Sequence, residues 1–348
     1  MRRLHRPNVQ LPTLTAPGKG FAQAAKHVAA RQADPAAELR FAGHWNEPDV
    51  RGALLAMQGW VCAYCQRRPS NRRGEVDHFR PKAGNGTEHS GYWWLAYAFE
   101  NHLLACHDCN HRKGSRFPLE EGAICADYAM RMLLPDEARL FISPCDDAVE
   151  EWMRVDWMPG SEEGWLKARL ALAEGSRAQL RTSRTLHDFR LNTDLEIRRP
   201  RLLALREAAR AHRAGDREAV RRLACRYLPH GAAVHNFIED VEPSWLPTPK
   251  EELFILLEEL LQELRELSSD PRGTEAPENE STIQEIFWAF AVLWKAPPPG
   301  TMTPEEIAQW LDAQSPGFKR TVEERYVRLS LRVVPQPTAL TDSHSSTA

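Results

Sequence analysis

The chain has 348 residues, a formal net charge of −3, and 42% hydrophobic and 27% charged residues, which is ordinary for a globular protein of two or three domains. No apolar run reaches the length of a membrane span and the N-terminus lacks a signal-peptide core, so a membrane protein is excluded and a cytoplasmic one is expected. In that compartment the seven cysteines should be reduced.

The N-terminal part predicts an arm followed by two helices. Residues 1–20 mix basic residues with prolines and glycines, which favours a mobile terminus over a phosphate-binding segment. Two helices are predicted within 21–57. Their apolar faces are Phe21, Ala24, Ala25 and Val28 in the first, and Val50, Leu54 and Met57 in the second.

Two Cys-x-x-Cys pairs, which we call the knuckles, stand at Cys62/Cys65 and Cys106/Cys109, with 40 residues (66–105) between them. Four thiolates at this spacing predict a tetrahedral zinc site that leaves no coordination position open and is therefore structural. Its binding energy would offset the entropy of closing the loop. Three further cysteines show no such pattern and are interpreted as small buried hydrophobes: Cys125, Cys145 and Cys225.

Between the knuckles, residues 75–79 alternate as a strand that carries Asp77 and His78. Adjacent strand residues point to opposite faces, so a carboxylate can bind a metal on one side while an imidazole acts on the other. Histidine titrates near neutrality, as a general base requires. The alternative is a surface Asp-His pair that precedes a turn.

After an aromatic block at 92–99, Asn101 could hold the loop between two strands or be a plain turn residue. Asn110 follows Cys109 at the head of a helix predicted over 110–116. The N-terminus of that helix favours phosphate. The helix also carries three cations: Arg112, Lys113 and Arg116.

The remainder is predicted to be mostly helical. One or two strands are expected at 151–158. Helices are expected from 165 with Leu166, Leu170, Leu172 and Leu180, over 200–227, over 250–267 with a leucine stripe, over 282–295, and from Thr303. A linker is expected at 268–281, a strand at 326–334, and disorder in the last dozen residues.

The small net charge hides a strong asymmetry along the chain. Residues 165–226 contain 16 basic and 7 acidic residues, whereas residues 227–285 contain 3 basic and 14 acidic ones. A basic block beside an acidic one suits a surface that faces nucleic acid next to one that faces a protein. The alternative is that both blocks are solvated helix faces.

The central motifs resemble the HNH endonuclease family, also called the ββα-metal nucleases. The pattern of that family is Asp-His, then Asn, then Cys-x-x-Cys followed by His or Asn and Lys-Gly. Here it is matched by Asp77-His78, Asn101, Cys106 to Asn110, and Lys113-Gly114. The resemblance implies that His78 is the general base and that Asn101 orients its loop. It also implies that Asp77 and Asn110 hold one Mg²⁺ or Mn²⁺, and that the four cysteines hold zinc.

The departure lies at the third letter of the family's name, where Asn110 replaces the histidine found in many members. His111 follows directly, but neighbours on a helix point about 100° apart, so one of the two faces the metal. We expect that one to be Asn110.

A longer resemblance is to the HNH subunit of Septu-type and retron-associated antiphage defence systems. It runs from QGWVCAYC at Gln58 through DHFRPK at Asp77 to KGSRFP at Lys113, and more weakly through FISPCDD at Phe141 and RLN at Arg190. It covers roughly residues 50–205. In that group the nuclease works beside an ATPase, which makes the acidic C-terminal part a candidate docking surface.

The sequence therefore predicts a mostly helical α+β fold, in which a zinc-stapled ββα-metal HNH core carries helical N- and C-terminal extensions. The predicted regions are an arm with helices (1–55), the nuclease core (56–120), a basic support domain (121–242), an acidic helical region (243–335) and a disordered tail (336–348).

The predicted activity is metal-dependent hydrolysis of nucleic-acid phosphodiester bonds, of DNA rather than RNA, in antiphage defence. Five cations are the predicted nucleic-acid contacts: Arg80, Lys82, Arg112, Lys113 and Arg116. The competing hypotheses are a zinc-knuckle protein that binds nucleic acid without cutting it, and an interaction scaffold.

Overall fold

The computed structural model describes residues 1–71, 73–86, 89–129, 137–269, 277–324 and 332–333. Within them the fold is α+β and mostly helical. The helices are α1 Lys19–Ala33, α2 Pro48–Gln58, α3 His107–Lys113, α4 Val149–Trp152, α5 Arg177–Asp188, α6 Leu195–Arg213, α7 Arg217–Leu223, α8 Gly231–Val241, α9 Pro249–Ser269, α10 Pro277–Lys295, α11 Pro304–Gln314 and α12 Phe318–Val322. Among these residues, no helix combines the length and the apolar character needed to cross a membrane.

The strands pair into small antiparallel sheets. They are β1 Val9–Gln10, β2 Glu75–His78, β3 His102–Ala105, β4 Met153–Asp156, β5 Trp165–Ala168 and β6 Arg332–Val333, and they pair as β1 with β6, β2 with β3, and β4 with β5. In the central pair Asp77 lies opposite Leu103 and His78 lies opposite His102. Helix α3 follows β3 directly and carries the second knuckle, β2 carries the Asp-His pair, and the first knuckle lies in the turn between α2 and β2.

Helix α2 supports this hairpin from behind. The side chain of Gln58, fully buried at the end of α2, donates to the carbonyls of Val61 and Leu104 at 2.8 Å each and accepts from the Leu104 amide at 3.1 Å. A buried amide with its hydrogen bonds made fixes the position of the chain on both sides. Gln58 thus ties the entry to the first knuckle to strand β3.

The C-terminal region packs directly against the same helix. Gly52 of α2 lies so close to α10 that a Cβ atom there would be 2.3 Å from Cβ of Trp288. Beside this contact the buried Arg51 guanidinium pairs with buried Glu285 at 2.7 Å. Helices approach this closely where a glycine replaces a side chain. Helix α10 is therefore part of the scaffold of the central module.

The acidic block faces the basic one inside the chain. Helix α9 buries its predicted leucine stripe, and its glutamates pair with arginines in and just after α7. The pairs are Arg221 with Glu251, Arg222 with Glu259, and Arg226 with Glu252. Neither interpretation of the charge asymmetry anticipated this arrangement, in which part of both blocks is neutralised internally.

A helix predicted from residue 165 is wrong. Residues Trp165–Ala168 form strand β5 paired with β4, and the helix begins at Arg177, after Ser176 caps it by accepting from the Gln179 amide. Leu170, expected on the apolar face, is fully exposed. The alternation of Leu166 inward and Lys167 outward has period two, which cross-strand pairing with β4 selects over a helix.

The N-terminal arm is ordered rather than mobile. Leu4 and Leu11 are buried in the core, and the Arg6 guanidinium donates to the carbonyls of Phe99 at 2.8 Å and His102 at 3.0 Å. The predicted apolar face of α1 is also wrong, because Phe21 is exposed whereas His27 is buried. The arm therefore contacts and stabilises the end of the loop between β2 and β3.

Some of the remaining predictions are confirmed, some are corrected, and some concern residues outside the described part. The helices at 250–267, at 282–295 and from Thr303 are confirmed, the last with a capping box between Thr303 and Glu306. The helix expected over 200–227 is two helices, α6 and α7, separated at Gly215, whose φ of 75° ends a helix. Of the strand expected at 326–334 only 332–333 is described, as strand β6. The linker expected at 268–281 is wrong at both ends, because α9 extends to Ser269 and α10 begins at Pro277. Residues 270–276 and the last dozen residues lie outside the described part.

Candidate metal centre and active site

The four knuckle cysteines form one buried cluster. Their Sγ atoms all lie within 4.8 Å of one another, and the sulfurs of Cys65 and Cys106 are 3.7 Å apart. A tetrahedral zinc site with Zn–S bonds of about 2.3 Å places its sulfurs about 3.8 Å apart. The cluster could therefore hold a metal ion such as zinc.

The backbone brings the cysteines together in two tight turns. The amide of Gln66 donates to the Cys62 carbonyl at 3.0 Å, and the amide of Asn110 donates to the Cys106 carbonyl at 3.0 Å, which starts α3. The guanidinium of Arg67 lies 3.9 Å from the Cys106 sulfur and also pairs with Asp108. A cation in this position stabilises the thiolate form that metal binding requires.

Asp77 faces α3 and is held by two buried groups. Its Oδ2 accepts from the Tyr64 hydroxyl at 2.5 Å, and its Oδ1 accepts from the Lys113 ammonium at 2.9 Å. Tyr64 lies between the cysteines of the first knuckle and stacks on Phe189, with ring centroids 4.2 Å apart. These two donors compensate the carboxylate, whose side chain is almost completely buried.

Asn110 contacts a different acid on the same strand face. Its Nδ2 donates to Glu75 Oε2 at 2.5 Å, and His107 Nδ1 lies 2.8 Å from the other oxygen of Glu75. Glu75 and Asp77 are two residues apart on β2 and so point to the same side. Residues 110 and 113 of α3 are one turn apart and meet these two acids separately. The structure thus places Asn110 against Glu75 rather than against Asp77.

His78 points to the opposite face of β2. Its Nε2 lies 3.0 Å from the carbonyl oxygen of Ala96, which also accepts from His102 Nε2 at 3.0 Å. The Trp45 ring meets the His78 ring edge-on, with centroids 4.6 Å apart. Burial, helped by the charges of Lys82 and Lys113, lowers the pKa of His78 to about 3. The imidazole is therefore neutral, and its pKa lies well below the near-neutral range that the sequence led us to expect of a general base.

Asn101 joins the two ends of the loop between β2 and β3. Its Oδ1 accepts from the Arg80 amide at 2.8 Å, while its Nδ2 donates to the Arg80 carbonyl at 2.9 Å and to the Leu95 carbonyl at 3.3 Å. A buried amide that satisfies three backbone groups fixes the path of the chain. The residue thus lies where it can orient the segment just after His78.

The five predicted nucleic-acid contacts differ in access. Lys113 is buried on Asp77, and Arg80 donates to the buried Glu137 carboxylate at 2.9 Å. Arg112 pairs with Asp194, the N-cap of α6, and donates to the Phe189 carbonyl at 3.2 Å. These three cations therefore bind within the protein.

The other two cations keep more solvent access. Lys82 is partly buried, with its ammonium 4.8 Å from the centroid of the Trp45 ring. Arg116 has a side chain 40% exposed and lies 3.6 Å from Asp188. Of the five, these two can reach a ligand with the least rearrangement.

Several residues at the site were not predicted from the sequence. Glu75 could have been found, because it is two residues before Asp77 on an alternating strand and so shares its face. Tyr64 stands between two knuckle cysteines, but nothing in the pattern indicated that its hydroxyl would reach Asp77. Trp45 and Ala96 contact His78 from remote segments, for which the sequence carried no signal.

The chain is similar to proteins named for the Septu system. It is 28% identical to Septu protein PtuB of Bacillus mycoides over 138 residues, which cover 34% of this chain and 45% of that protein. It is 33% identical to Septu protein PtuA of the same species over 101 residues, 27% of this chain and 14% of that protein. Septu protein PtuB of Bacillus thuringiensis matches at 33% identity over 82 residues, 23% of this chain and 29% of that protein.

These similarities are partial. Each match spans less than half the length of the relative concerned. No protein-family model and no solved structure matches the chain.

Proposed function

We propose that this protein is an HNH endonuclease that hydrolyses phosphodiester bonds, in DNA rather than RNA, with His78 as the general base. The observation that carries the proposal is the hydrogen bond from His78 Nε2 to the Ala96 carbonyl. Since that nitrogen must carry the hydrogen, the lone pair of the neutral ring is on Nδ1. An imidazole fixed in this tautomer has one nitrogen free to accept a proton from water once the site opens and its lowered pKa returns toward neutrality.

The chain's own residues hold this base in place. His102 shares the Ala96 carbonyl and meets the His78 ring edge-on at 4.9 Å, while the Lys113 ammonium donates to the main-chain carbonyl of His78 at 2.6 Å. Asn101 supports the loop that follows. These contacts restrict the imidazole to one orientation, which lowers the entropic cost of reaching a reactive geometry.

The donor atoms of the site indicate which metal ions it would hold. The four cysteines would hold a structural zinc. Asp77 and Asn110, with Glu75 beside Asn110, present the hard oxygens that Mg²⁺ or Mn²⁺ prefers. A divalent cation bound there would stabilise negative charge on the scissile phosphate. Lys113 already neutralises part of the Asp77 charge, and Asn110 is directed to Glu75, so the fit to this second ion is partial.

Phosphate contacts would come from α6. Arg199, Arg210 and Arg213 are exposed and fall within about 60° of one another around the helix. Within the described part of the chain, none of the three forms an ion pair. Asp194, the N-cap of α6, binds Arg112 of α3, so this row of arginines leads away from the candidate site. We refer to these three residues as the α6 arginines.

The similarity to Septu proteins supports a role in antiphage defence. The resemblance to nucleases that work beside an ATPase leads us to propose a partner protein of that kind. The proposal predicts that this partner controls or strengthens cleavage. Co-purification with the product of a neighbouring gene that encodes an ATPase tests the assembly. A chain that purifies alone in the presence of that product argues against it.

A second candidate, a zinc-knuckle protein that binds nucleic acid without cutting it, is favoured by two observations. His78 is only 6% exposed beneath Trp45, and Asp77 is already paired with Lys113. A site that never opens would bind without catalysis.

A cleavage assay separates the two functions. Plasmid DNA and tRNA are incubated with Mn²⁺ and the wild-type protein, with His78→Ala, or with His111→Ala as a control, each with and without the ATPase. Nicking by wild type and His111→Ala but not by His78→Ala supports the nuclease. Intact DNA in every reaction, with retarded migration in a gel, supports the binding protein.

A further inference from the structure

A cavity of about 450 Å³ opens between α1 and the short 3₁₀ turn Trp93–Leu95. Its aromatic wall is formed by Trp93 and Tyr128, whose ring centroids are 4.9 Å apart with an interplanar angle of 35°. Val28 and Arg31 line it from α1, and the Arg31 guanidinium lies 6.0 Å from the centroid of the Trp93 ring. Both aromatic rings are partly exposed, so they present a face that a ligand can reach.

The lining suits a planar aromatic ligand. Aromatic side chains beside an arginine stack on nucleobases. Such stacking accepts any of the bases, because every base has a π face. Gln32 and Ser90 add polar groups to the lining, which can bind base edges, whereas the carboxylate of Asp127 disfavours a phosphate. The volume falls in the range of small-ligand sites and is large enough for a nucleobase with its sugar.

The cavity is structurally connected to His78. The amide of Ala96 donates to the carbonyl of Trp93 at 3.2 Å, which closes the 3₁₀ turn. The carbonyl of the same Ala96 accepts from His78 Nε2. A 3₁₀ turn rises about 2 Å per residue, so the aromatic wall begins about 6 Å along the backbone from the group that orients the general base.

We propose that this cavity binds one unpaired nucleobase of the nucleic-acid substrate, next to the linkage presented to His78. This inference rests on the proposed nuclease function and narrows its substrate. A base stacked on Trp93 must first leave a duplex, at a cost that is least where the strand is already single or locally melted. The enzyme therefore acts on single-stranded or distorted nucleic acid in preference to a regular duplex.

Binding to matched strands tests the proposal without cleavage. Full-length His78→Ala protein is titrated into fluorescein-labelled single strands of equal length, one with bases and one fully abasic, and into a duplex. We expect the base-containing strand to bind about 5- to 150-fold more tightly than the abasic one, from stacking of about 1–3 kcal/mol per base. Val28→Trp, which fills the cavity and leaves Trp93 in place, should remove this difference, whereas Val28→Ala should keep it.

Tyr128→Ala is the second variant, because it removes one of the two rings of the aromatic wall at a partly exposed position and covers the case in which Val28→Trp does not fold. Equal affinity for the base-containing and abasic strands, or an unchanged affinity difference in both Val28→Trp and Tyr128→Ala, overturns the base pocket while the nuclease proposal stands. If a free mononucleotide displaces the strand at a concentration similar to that of the strand itself, the cavity is a site for a nucleotide effector, and the base-pocket proposal is overturned. If the full-length His78→Ala protein binds none of the labelled nucleic acids, the proposed nuclease function itself is overturned.

Discussion

The ammonium of Lys113 lies 2.9 Å from Oδ1 of Asp77, and the two side chains are 1% and 4% exposed. The same nitrogen donates to the main-chain carbonyl of His78 at 2.6 Å. One buried cation of α3 thus fixes both residues of the Asp-His pair on β2. An uncompensated charge at this depth is strongly unfavourable, so the pair is a sensitive point of the fold.

Lys113→Met should destabilise the protein by about 3–5 kcal/mol, because it leaves the Asp77 carboxylate buried without its partner. Adding Asp77→Asn to this variant should recover part of the loss, since the unpaired charge is then removed. Thermal unfolding of the single and double variants measures both effects. Lys82→Met, at a partly buried lysine that lies over Trp45, is the matched control. A Lys113→Met protein as stable as that control contradicts the prediction.

Replacing a knuckle cysteine should remove bound metal. We expect about one zinc ion per chain in the wild-type protein, from the four-sulfur cluster, and close to none in Cys109→Ser. The unfolding temperature should fall with the zinc content, since the cluster joins α2, β3 and α3. Elemental analysis and thermal unfolding are the measurements, and Cys145→Ser, outside the cluster, is the control. Equal zinc content in both variants would show that these sulfurs do not hold the ion.

Neutralising the α6 arginines should weaken nucleic-acid binding and its dependence on salt. If Arg199, Arg210 and Arg213 each contact one phosphate, replacing all three by Gln lowers the slope of log affinity against log salt by about 2 to 3. Affinity is measured by fluorescence anisotropy over a range of salt concentrations.

The control for this experiment removes arginines that already have partners. The control is the double variant Arg221→Gln/Arg222→Gln, which also removes positive charge from the protein. Unlike the α6 arginines, these two side chains pair with glutamates of α9. The control should therefore keep the salt dependence. A similar loss in both proteins would mean that net charge, rather than α6, determines binding.

The contact between α9 and the end of α7 should depend on pH through Glu252. This glutamate is 2% exposed and accepts from the Arg226 amide at 2.8 Å and from its guanidinium at 2.6 Å. Burial alone would raise the pKa of Glu252, but the hydrogen bonds and charge of Arg226 outweigh it, and the pKa lies below the ordinary 4.5. Its ionised form therefore contributes stability above about pH 4.5, which is lost as pH falls through the lowered pKa.

Glu252→Gln should accordingly cost about 2 kcal/mol near neutral pH and progressively less below about pH 4.5. The difference in unfolding temperature between wild type and variant across this range measures it. Glu258→Gln, at a half-exposed residue 3.6 Å from Arg222, should change little at any pH. A constant difference at Glu252 across the range would contradict the assignment.

Local pattern was enough to predict the elements on which the candidate site is built. The knuckle spacing predicted that Cys62, Cys65, Cys106 and Cys109 would meet, because a three-residue step closes a turn around one metal and the two turns need each other to complete it. Alternation over 75–79 predicted β2 and the opposite directions of Asp77 and His78. Each knuckle and the strand lie within a few adjacent residues, where covalent geometry decides the outcome, and the shared need for four ligands joins the two knuckles across 40 residues.

Which groups those side chains meet was decided by the tertiary structure. Lys113 looked like a phosphate contact in a basic run, and only the packing of α3 across β2 buried it on Asp77. The sequence presented the acidic and basic blocks as separate surfaces, whereas the structure pairs glutamates of α9 with arginines of α7. Residue 165 looked helical until pairing with β4 selected a strand. Contacts between distant segments depend on how many elements pack at once, and no single stretch of sequence contains that information.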